Sequence, residues 1–94
     1  MKLTLSVRAQ ERREEIYFYY LTHDNSQAGN TVRGRIDQAI ARLAEFPKSG
    51  RTTDIPNRRE MVVTGTPYLM RYTLTTKEIR ITDIKHGAQN QWKP

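Results

Sequence analysis

Alternation of apolar and polar residues predicts a strand at the start of the chain. Every second residue is apolar over Leu3, Leu5 and Val7, the period of a strand with one buried face. From Ala9 the period changes, and apolar residues fall at helical spacing behind a charged turn. These residues are Ile16, Tyr17, Tyr20 and Leu21. The pattern predicts a short strand and then a helix that ends near residues 23–25.

A second helix has the clearest apolar period in the sequence. We expect Ser26 to cap it, because a serine hydroxyl can accept a hydrogen bond from an unpaired backbone N–H. A glycine at 29 or 34 would allow close contact between the helices, and Pro47 would end the second one. One stripe of this helix contains Ala28, Val32, Ile36, Ile40 and Leu43, with Ala39 and Phe46 beside it.

Three strands are predicted after a polar loop at residues 48–58. Their apolar positions are Met61 and Val63 in the first, Tyr68, Met70, Tyr72 and Leu74 in the second, and Ile79 and Ile81 in the third. A two-residue loop at 76–77 places Leu74 opposite Ile79 and Tyr72 opposite Ile81, so the apolar faces coincide. Arg71 then lies opposite Thr82 on the other face. The alternation breaks at residues 83–84, which leaves open either a bulge or an end that is covered on both faces.

The order of elements predicts an α+β fold, β-α-α-β-β-β, as one domain over residues 1–94. Two amphipathic helices would pack on one face of a four-stranded, mainly antiparallel sheet. The other face would stay at least partly open. It would present Arg71, Thr73 and Arg80, with His86 as a further candidate.

Composition narrows the class of protein. The absence of cysteine excludes disulfides and thiolate metal sites, and no apolar run approaches the length of a membrane span. The N-terminus turns charged too early for a signal peptide, so we expect a cytoplasmic protein. The net charge is +6, from 16 Lys and Arg against 10 Asp and Glu. This balance favours nucleic acid or an acidic protein segment as partner over solubility alone.

Arg71, Arg80 and His86 are the residue types that cleavage of RNA would need. The arginines could stabilise a charged phosphorane, and the histidine could move a proton. Asp54 and Glu60 are the nearest carboxylates, and nothing around either marks an activated base. His86 can equally be a structural residue at the strand end. The two arginines can equally bind a partner's carboxylate or phosphate, or cover an exposed sheet face.

Further candidates for partner binding lie outside the hairpin. We expect Arg58 and Arg59 to form a basic patch with the loop before them, and Phe18 or Tyr19 to be exposed on the first helix. Trp92, the one tryptophan, is another candidate contact. The sequence contains no Gly-rich phosphate loop, no metal-spaced cluster and no Ser/His/Asp set, so no cofactor is predicted.

Four stretches together resemble the RelE/ParE superfamily of bacterial toxins from type II toxin–antitoxin pairs. They are RAQERREEIYFYYLTHDNSQAG, RIDQAIARLAEFPKSGRTT, REMVVTGTPYLMRYTL and IRITDIKHGAQNQW. The resemblance runs over nearly the whole chain and is closer to the ParE branch than to the RelE branch. Where the family usually has leucine this chain has Arg13, and where similar RNases tend to have an arginine early in the YLMRY strand it has Leu69.

The resemblance implies a toxin that poisons DNA gyrase and blocks replication without being an enzyme. It also implies a cognate antitoxin, which neutralises the toxin in a hetero-oligomer by laying an extended, partly helical tail over grooves beside the helices. Neither a membrane nor a small-molecule substrate is implied. Two alternatives stay open: a RelE-like, ribosome-dependent mRNA endoribonuclease that uses Arg71, Arg80 and His86, and a non-toxic relative that only binds antitoxin.

Overall fold

A computed structural model of the protein describes residues 1–23 and 25–87, so Trp92 lies outside the described residues. Two helices follow the first strand, and four strands follow the helices. The elements are β1 (Lys2–Leu5), α1 (Val7–Thr22), α2 (Ser26–Glu45), β2 (Arg51–Thr52), β3 (Arg58–Val62), β4 (Tyr68–Leu74) and β5 (Glu78–His86).

The predicted fold class is confirmed, but the predicted number of strands is wrong. The sheet has five strands in the order β1-β5-β4-β3-β2, with β1 parallel to β5 and the other pairs antiparallel. The additional strand is β2, which lies inside the predicted loop 48–58. Its two residues, Arg51 and Thr52, pair with Glu60 and Arg59 of β3. Two polar residues show no alternation, so only the neighbouring strand identifies them as a strand.

The first helix begins earlier than predicted, and Val7 belongs to it. Ser6 is its N-cap: the hydroxyl accepts a hydrogen bond from the Ala9 N–H at 3.1 Å and donates one to the Thr82 carbonyl at 3.1 Å. Capping by serine therefore outweighs the alternation that placed Val7 in the strand. The Val7 side chain is 70% exposed.

Two predictions at the ends of α2 are also wrong. Asn25, not Ser26, is the N-cap, and its side-chain oxygen accepts a hydrogen bond from the Ala28 N–H at 3.2 Å. Phe46 does not lie beside the buried stripe. The helix ends at Glu45, and the backbone of Phe46 is no longer helical, so its ring does not follow the helical spacing. It is 51% exposed, with the Arg42 guanidinium 5.5 Å from the ring centroid.

The helices form close contacts with each other. A Cβ atom on Gly29 would lie 3.1 Å from the Tyr20 Cβ atom, which confirms close approach of α1 and α2 at a glycine. Arg13, which stands where the family usually has leucine, joins the helices instead by an ion pair with Asp37, with Nε and Oδ1 3.1 Å apart. At this position the two helices are therefore joined by a charge pair on the surface.

The core lies between the helices and the sheet face that we call the inner face; the opposite one is the outer face. Its fully buried side chains are Ile36, Leu43, Val63, Met70, Tyr72, Ile79, Ile81 and Ile84. The predicted pairs Leu74–Ile79 and Tyr72–Ile81 are confirmed. They set the apolar positions of β4 and β5 on this one face.

A bulge in β5 explains why the alternation breaks. Tyr72 pairs with Ile81, but Arg71 pairs with Asp83, so Thr82 is an extra residue and the predicted Arg71–Thr82 pair is wrong. One extra residue exchanges the faces of everything that follows it. Ile84 consequently returns to the inner face, where it is fully buried.

The loop after α2 is fixed to the sheet by the Tyr72 hydroxyl. This hydroxyl donates a hydrogen bond to the Pro47 carbonyl and accepts one from the Gly50 N–H, each at 2.9 Å. A Cβ atom on Gly50 would lie 2.5 Å from the hydroxyl oxygen and 2.8 Å from the Glu60 carbonyl oxygen, so only glycine fits. The conformation of the loop at residues 47–50 is therefore held by the two hydrogen bonds of the buried Tyr72 hydroxyl.

Candidate functional site

A row of polar side chains crosses the outer face of the sheet. Thr73 in β4 pairs with Arg58 on one side and with Arg80 on the other, and Arg80 pairs in turn with Thr4 of β1. The Arg80 guanidinium donates a hydrogen bond to the Thr4 hydroxyl at 3.4 Å. The fold therefore places two cations and two hydroxyls in one line across four strands.

Arg71 lies beside this row and is partly buried. Burial lowers its pKa, and the charge of Arg58 lowers it further, while Glu60 and Asp83 act in the opposite direction. An arginine remains charged at physiological pH in such surroundings. Arg58, Arg71 and Arg80, which were predicted from different parts of the sequence, thus share one surface.

Two carboxylates of this face, Glu60 and Asp83, are engaged by cations from neighbouring elements. Glu60, whose side chain is 10% exposed, accepts a hydrogen bond from Arg51 of β2 at 3.2 Å. Asp83 receives two arginines from α1, with Arg8 Nε at 3.3 Å and Arg12 Nε at 3.5 Å. Because each carboxylate already has a cation, neither is placed as an activated base.

His86 does not lie with the arginines. It pairs with Tyr68 on the inner face, and the two rings meet edge to face with centroids 5.5 Å apart. Burial raises the pKa of Tyr68, and a hydrogen bond with Tyr20 adds to the shift. Plain alternation from Arg80 would put His86 on the outer face, and the bulge at Thr82 moves it to the other one. The structure therefore does not bring together the three residues of the nuclease alternative.

Arg58 and Arg59 also lie on opposite faces, because they are consecutive residues of β3. Arg59 pairs with Tyr72 on the inner face and donates hydrogen bonds to the carbonyls of Gly50 at 2.7 Å and Lys48 at 3.3 Å. Arg59 thus holds the loop after α2, while Arg58 belongs to the outer face. The expectation of one basic patch assumed a loop here rather than a strand.

Aromatic side chains are exposed on α1 as predicted. Phe18 and Tyr19 are each 54% exposed, and Tyr19 contacts His23 with ring centroids 4.2 Å apart. His23 is the C-cap of α1, the helix C-terminus at which it was predicted. This aromatic surface is separate from the outer face of the sheet and remains a candidate for protein contact.

The described residues form two grooves; the resemblance implied grooves beside the helices but did not give their lining residues. One has a volume of about 760 Å³ and an apolar lining at the end of the sheet, formed by Met1, Pro47, Ile55, Pro56 and Leu74. The second, of about 690 Å³, runs between α2 and β3, where Arg35 and Arg42 face Met61, Val62 and Leu69. Ile55 and Val62 are 48% and 64% exposed. Ile55 is an exposed apolar residue inside a polar loop, and Val62 is an exposed apolar residue between the buried Met61 and Val63; these are the signals that could have located the two grooves.

Metal-binding clusters and membrane-spanning helices are both absent from the residues that the structure describes. Within 1–23 and 25–87 no group of three His, Asp or Glu side chains is arranged to hold a metal ion. No helix in the same ranges is long and apolar enough to cross a membrane.

Comparison with known families decides the membership of the chain. The family model described as the ParE toxin of the type II toxin–antitoxin system, parDE, matches residues 3–91. The chain belongs to this ParE toxin family. The chain is also similar to a protein of Sinorhizobium fredii (strain NBRC 101917 / NGR234) named "Putative toxin Y4kP". The two are 34% identical over 91 residues, which cover 97% of this chain and 92% of that protein.

Solved structures show how widely the fold of this ParE-family protein is shared. A chain of the chromosomal ParDE toxin–antitoxin system from P. aeruginosa matches with a TM-score of 0.81 and 20% identity, over 92% of this chain and 95% of that one. A chain of the intact E. coli RelBE toxin–antitoxin complex matches with a TM-score of 0.68 and 13% identity, over 90% and 94%. At these identities the likeness establishes the fold and leaves the target to be argued from the site.

Proposed function

We propose that this protein is a toxin that inhibits DNA gyrase, and so DNA replication, by binding and not by catalysis. In this proposal it acts in the cytoplasm and a cognate antitoxin neutralises it. The observation that carries the proposal is the position of His86, which lies on the inner face while Arg71 and Arg80 lie on the outer face. Membership of the ParE family supports gyrase as the target.

Cleavage of RNA would need the proton-transfer group and the cations to reach the same phosphate. A general base or acid acts within about 2.6–3.2 Å of the proton that it moves. A ring packed against Tyr68 under the sheet cannot reach a phosphate held above the sheet by Arg71 and Arg80. This separation argues against the endoribonuclease alternative with those three residues.

Binding of an antitoxin is supported by the surfaces beside the helices. Phe18 and Tyr19 expose large rings on α1, and the groove between α2 and β3 combines apolar residues with Arg35 and Arg42. An apolar segment with acidic residues would fit such a surface. The two similar solved structures come from a toxin–antitoxin system and a toxin–antitoxin complex, which favours a hetero-oligomer here as well.

Two assays on the purified protein test the target. In the first, gyrase supercoils a relaxed plasmid in the presence of the protein, and we expect inhibition with accumulation of cleaved DNA. In the second, ribosomes carry a defined mRNA, and we expect no cleavage. Transcript cleavage without any effect on gyrase would refute the proposal.

Substitution of His86 separates binding from catalysis. We expect His86→Ala to retain inhibition of gyrase, since the ring lies on the inner face. Loss of an mRNA-cleaving activity in this variant would support the endoribonuclease alternative. Silence in both assays, together with tight binding of the protein encoded by the adjacent reading frame, would identify a non-toxic relative.

A further inference from the structure

We infer that the outer face of the sheet binds the sugar–phosphate backbone of duplex DNA. The inference rests on the proposed function, because DNA is the molecule on which gyrase acts. It adds a second contact to that function: the toxin would touch the DNA of the gyrase complex as well as the enzyme. The argument uses the charge, the spacing and the chemical character of this face.

Positive charge is concentrated on the outer face. Its cations on the strands are Lys2, Arg51, Arg58, Arg71, Arg80 and Lys85. Its carboxylates are Glu60, Glu78 and Asp83, and each has a donor from this chain: Arg51, the Thr4 hydroxyl, and Arg8 with Arg12. Such a surface attracts a polyanion.

The spacing of the arginines suits a row of phosphates. Arg58 and Arg80 flank Thr73 on adjacent strands, so their backbones lie about 10 Å apart, twice the distance between neighbouring strands. Two long side chains at this separation can reach phosphates along one DNA strand, with the Thr73 hydroxyl between them as a further donor. Arginine suits this role because its planar fork matches a phosphate.

Arg58 has an unsatisfied donor that an anion could use. Among residues 1–23 and 25–87 its Nε atom is buried and has no hydrogen-bond partner. Its charge also lowers the pKa of the neighbouring Arg71, a repulsion that an anion bound between the two arginines would relieve. Both observations point to a negatively charged ligand at this position.

The face fits a duplex better than a single strand. Proteins that hold single strands stack the bases on aromatic rings. On strands β1–β5, all of which the structure describes, the aromatic residues Tyr68 and Tyr72 project from the inner face. The outer face instead has threonines, Leu69 and Val62 between its charges. Contact through the backbone, without reading of sequence, is what these residues support.

Fluorescence anisotropy with a labelled duplex of roughly 20 base pairs, about two helical turns, tests the inference. Three phosphate contacts would give a slope of about −2.7 in log K against log salt. Affinity should then fall about 40-fold between about 50 and 200 mM salt. The unlabelled single strand of the same length should compete no better than the duplex.

Variants with equal loss of charge separate the outer face from general attraction of a basic protein. The test variant combines Arg58→Gln, Arg71→Gln and Arg80→Gln. The control combines Arg13→Gln, Arg33→Gln and Lys77→Gln, which remove three cations from α1, α2 and the turn between β4 and β5. We expect the magnitude of the slope to fall by about 2.7, to near zero, in the test variant, by about 0.9 in Arg80→Gln alone, and to change little in the control.

The outcomes are distinct. No binding of the duplex at low salt, an equal loss in the control variant, or preference for the single strand would overturn the inference. If circular dichroism shows that the test variant folds poorly, the salt slope of the single variant Arg80→Gln tests the inference instead. The Arg80 side chain is exposed, so its substitution should not disturb the core. Inhibition of gyrase without binding of DNA would refute this inference and leave the proposed function intact. Binding of DNA without inhibition of gyrase would refute the proposed function and leave this inference intact.

Discussion

Removal of the Tyr72 hydroxyl should destabilise the protein more than any loss of packing area would suggest. Tyr72→Phe keeps the ring, which is fully buried, and deletes one oxygen. That oxygen accepts a hydrogen bond from the buried Gly50 N–H and donates one to the half-buried Pro47 carbonyl. The variant therefore isolates the connection between the sheet and the loop after α2.

The magnitude follows from the two groups left behind. A buried N–H without a partner costs about 1–3 kcal/mol, and the Pro47 carbonyl costs less because water can reach it. We expect a loss of about 2–3 kcal/mol from the free energy of unfolding. A domain of this size loses roughly 4–8 °C in Tm for each kcal/mol, so the fall should be on the order of 8–24 °C.

Urea unfolding followed by circular dichroism measures this loss. The midpoint should fall and the slope m should not change, because the buried area of the ring is kept. Amide exchange at Gly50 should speed up in the same variant. Tyr17→Phe is a matched control: its hydroxyl donates to Asn30 at 3.3 Å on the surface, and its removal should change stability by less than about 0.5 kcal/mol. Equal effects of the two substitutions would refute the reasoning.

Three further predictions concern stability. Gly50→Ala should cost on the order of 1–3 kcal/mol or more, because the new Cβ atom would lie 2.8 Å from a backbone oxygen, whereas Gly34→Ala has open space and should stabilise by up to about 1 kcal/mol; urea midpoints compare the two. Asn25→Ala should cost about 1 kcal/mol by loss of the N-cap, and a larger cost for Ser26→Ala in the same measurement would contradict the capping assignment. Burial raises the pKa of Tyr68, so its contribution to stability is full below about pH 10 and is lost as the pH rises through the folded-state pKa. Tyrosinate absorbance should therefore rise together with unfolding, and Tyr68→Phe should unfold at higher pH than the parent.

Local patterns were sufficient for most of the fold. The register of β4 and β5 follows from matching Leu74 to Ile79, since a slip of one residue would expose every apolar side chain of a strand. The contact of the helices at Gly29 follows from the same logic of spacing. Where one face of an element must be buried, the order of its apolar residues determines which face that is and therefore how the element pairs with its neighbour.

Other features depend on neighbours that a single sequence does not display. Asn25 and Ser26 are both good N-caps, and Asn25 takes the position in the structure, where its N–H also donates a hydrogen bond to the Tyr20 carbonyl of α1 at 3.0 Å. The alternation predicted the outer face for Arg71 and Arg80, but the inner-face position of His86 depends on the one extra residue at Thr82. The break in alternation at residues 83–84 indicated an irregular strand but did not show that the irregularity is a bulge. The grooves form between elements far apart in sequence, so their lining could not be read from any one segment.

Pairing of the first strand with the last has a consequence for synthesis. Thr4 meets its partner Arg80 across 76 residues, so this part of the surface cannot exist while the chain is still being made. Contacts so distant in sequence form late in folding and slowly. If this face acts as we propose, it is incomplete while the chain is on the ribosome, and the delay gives a co-expressed partner time to be present before the face is complete.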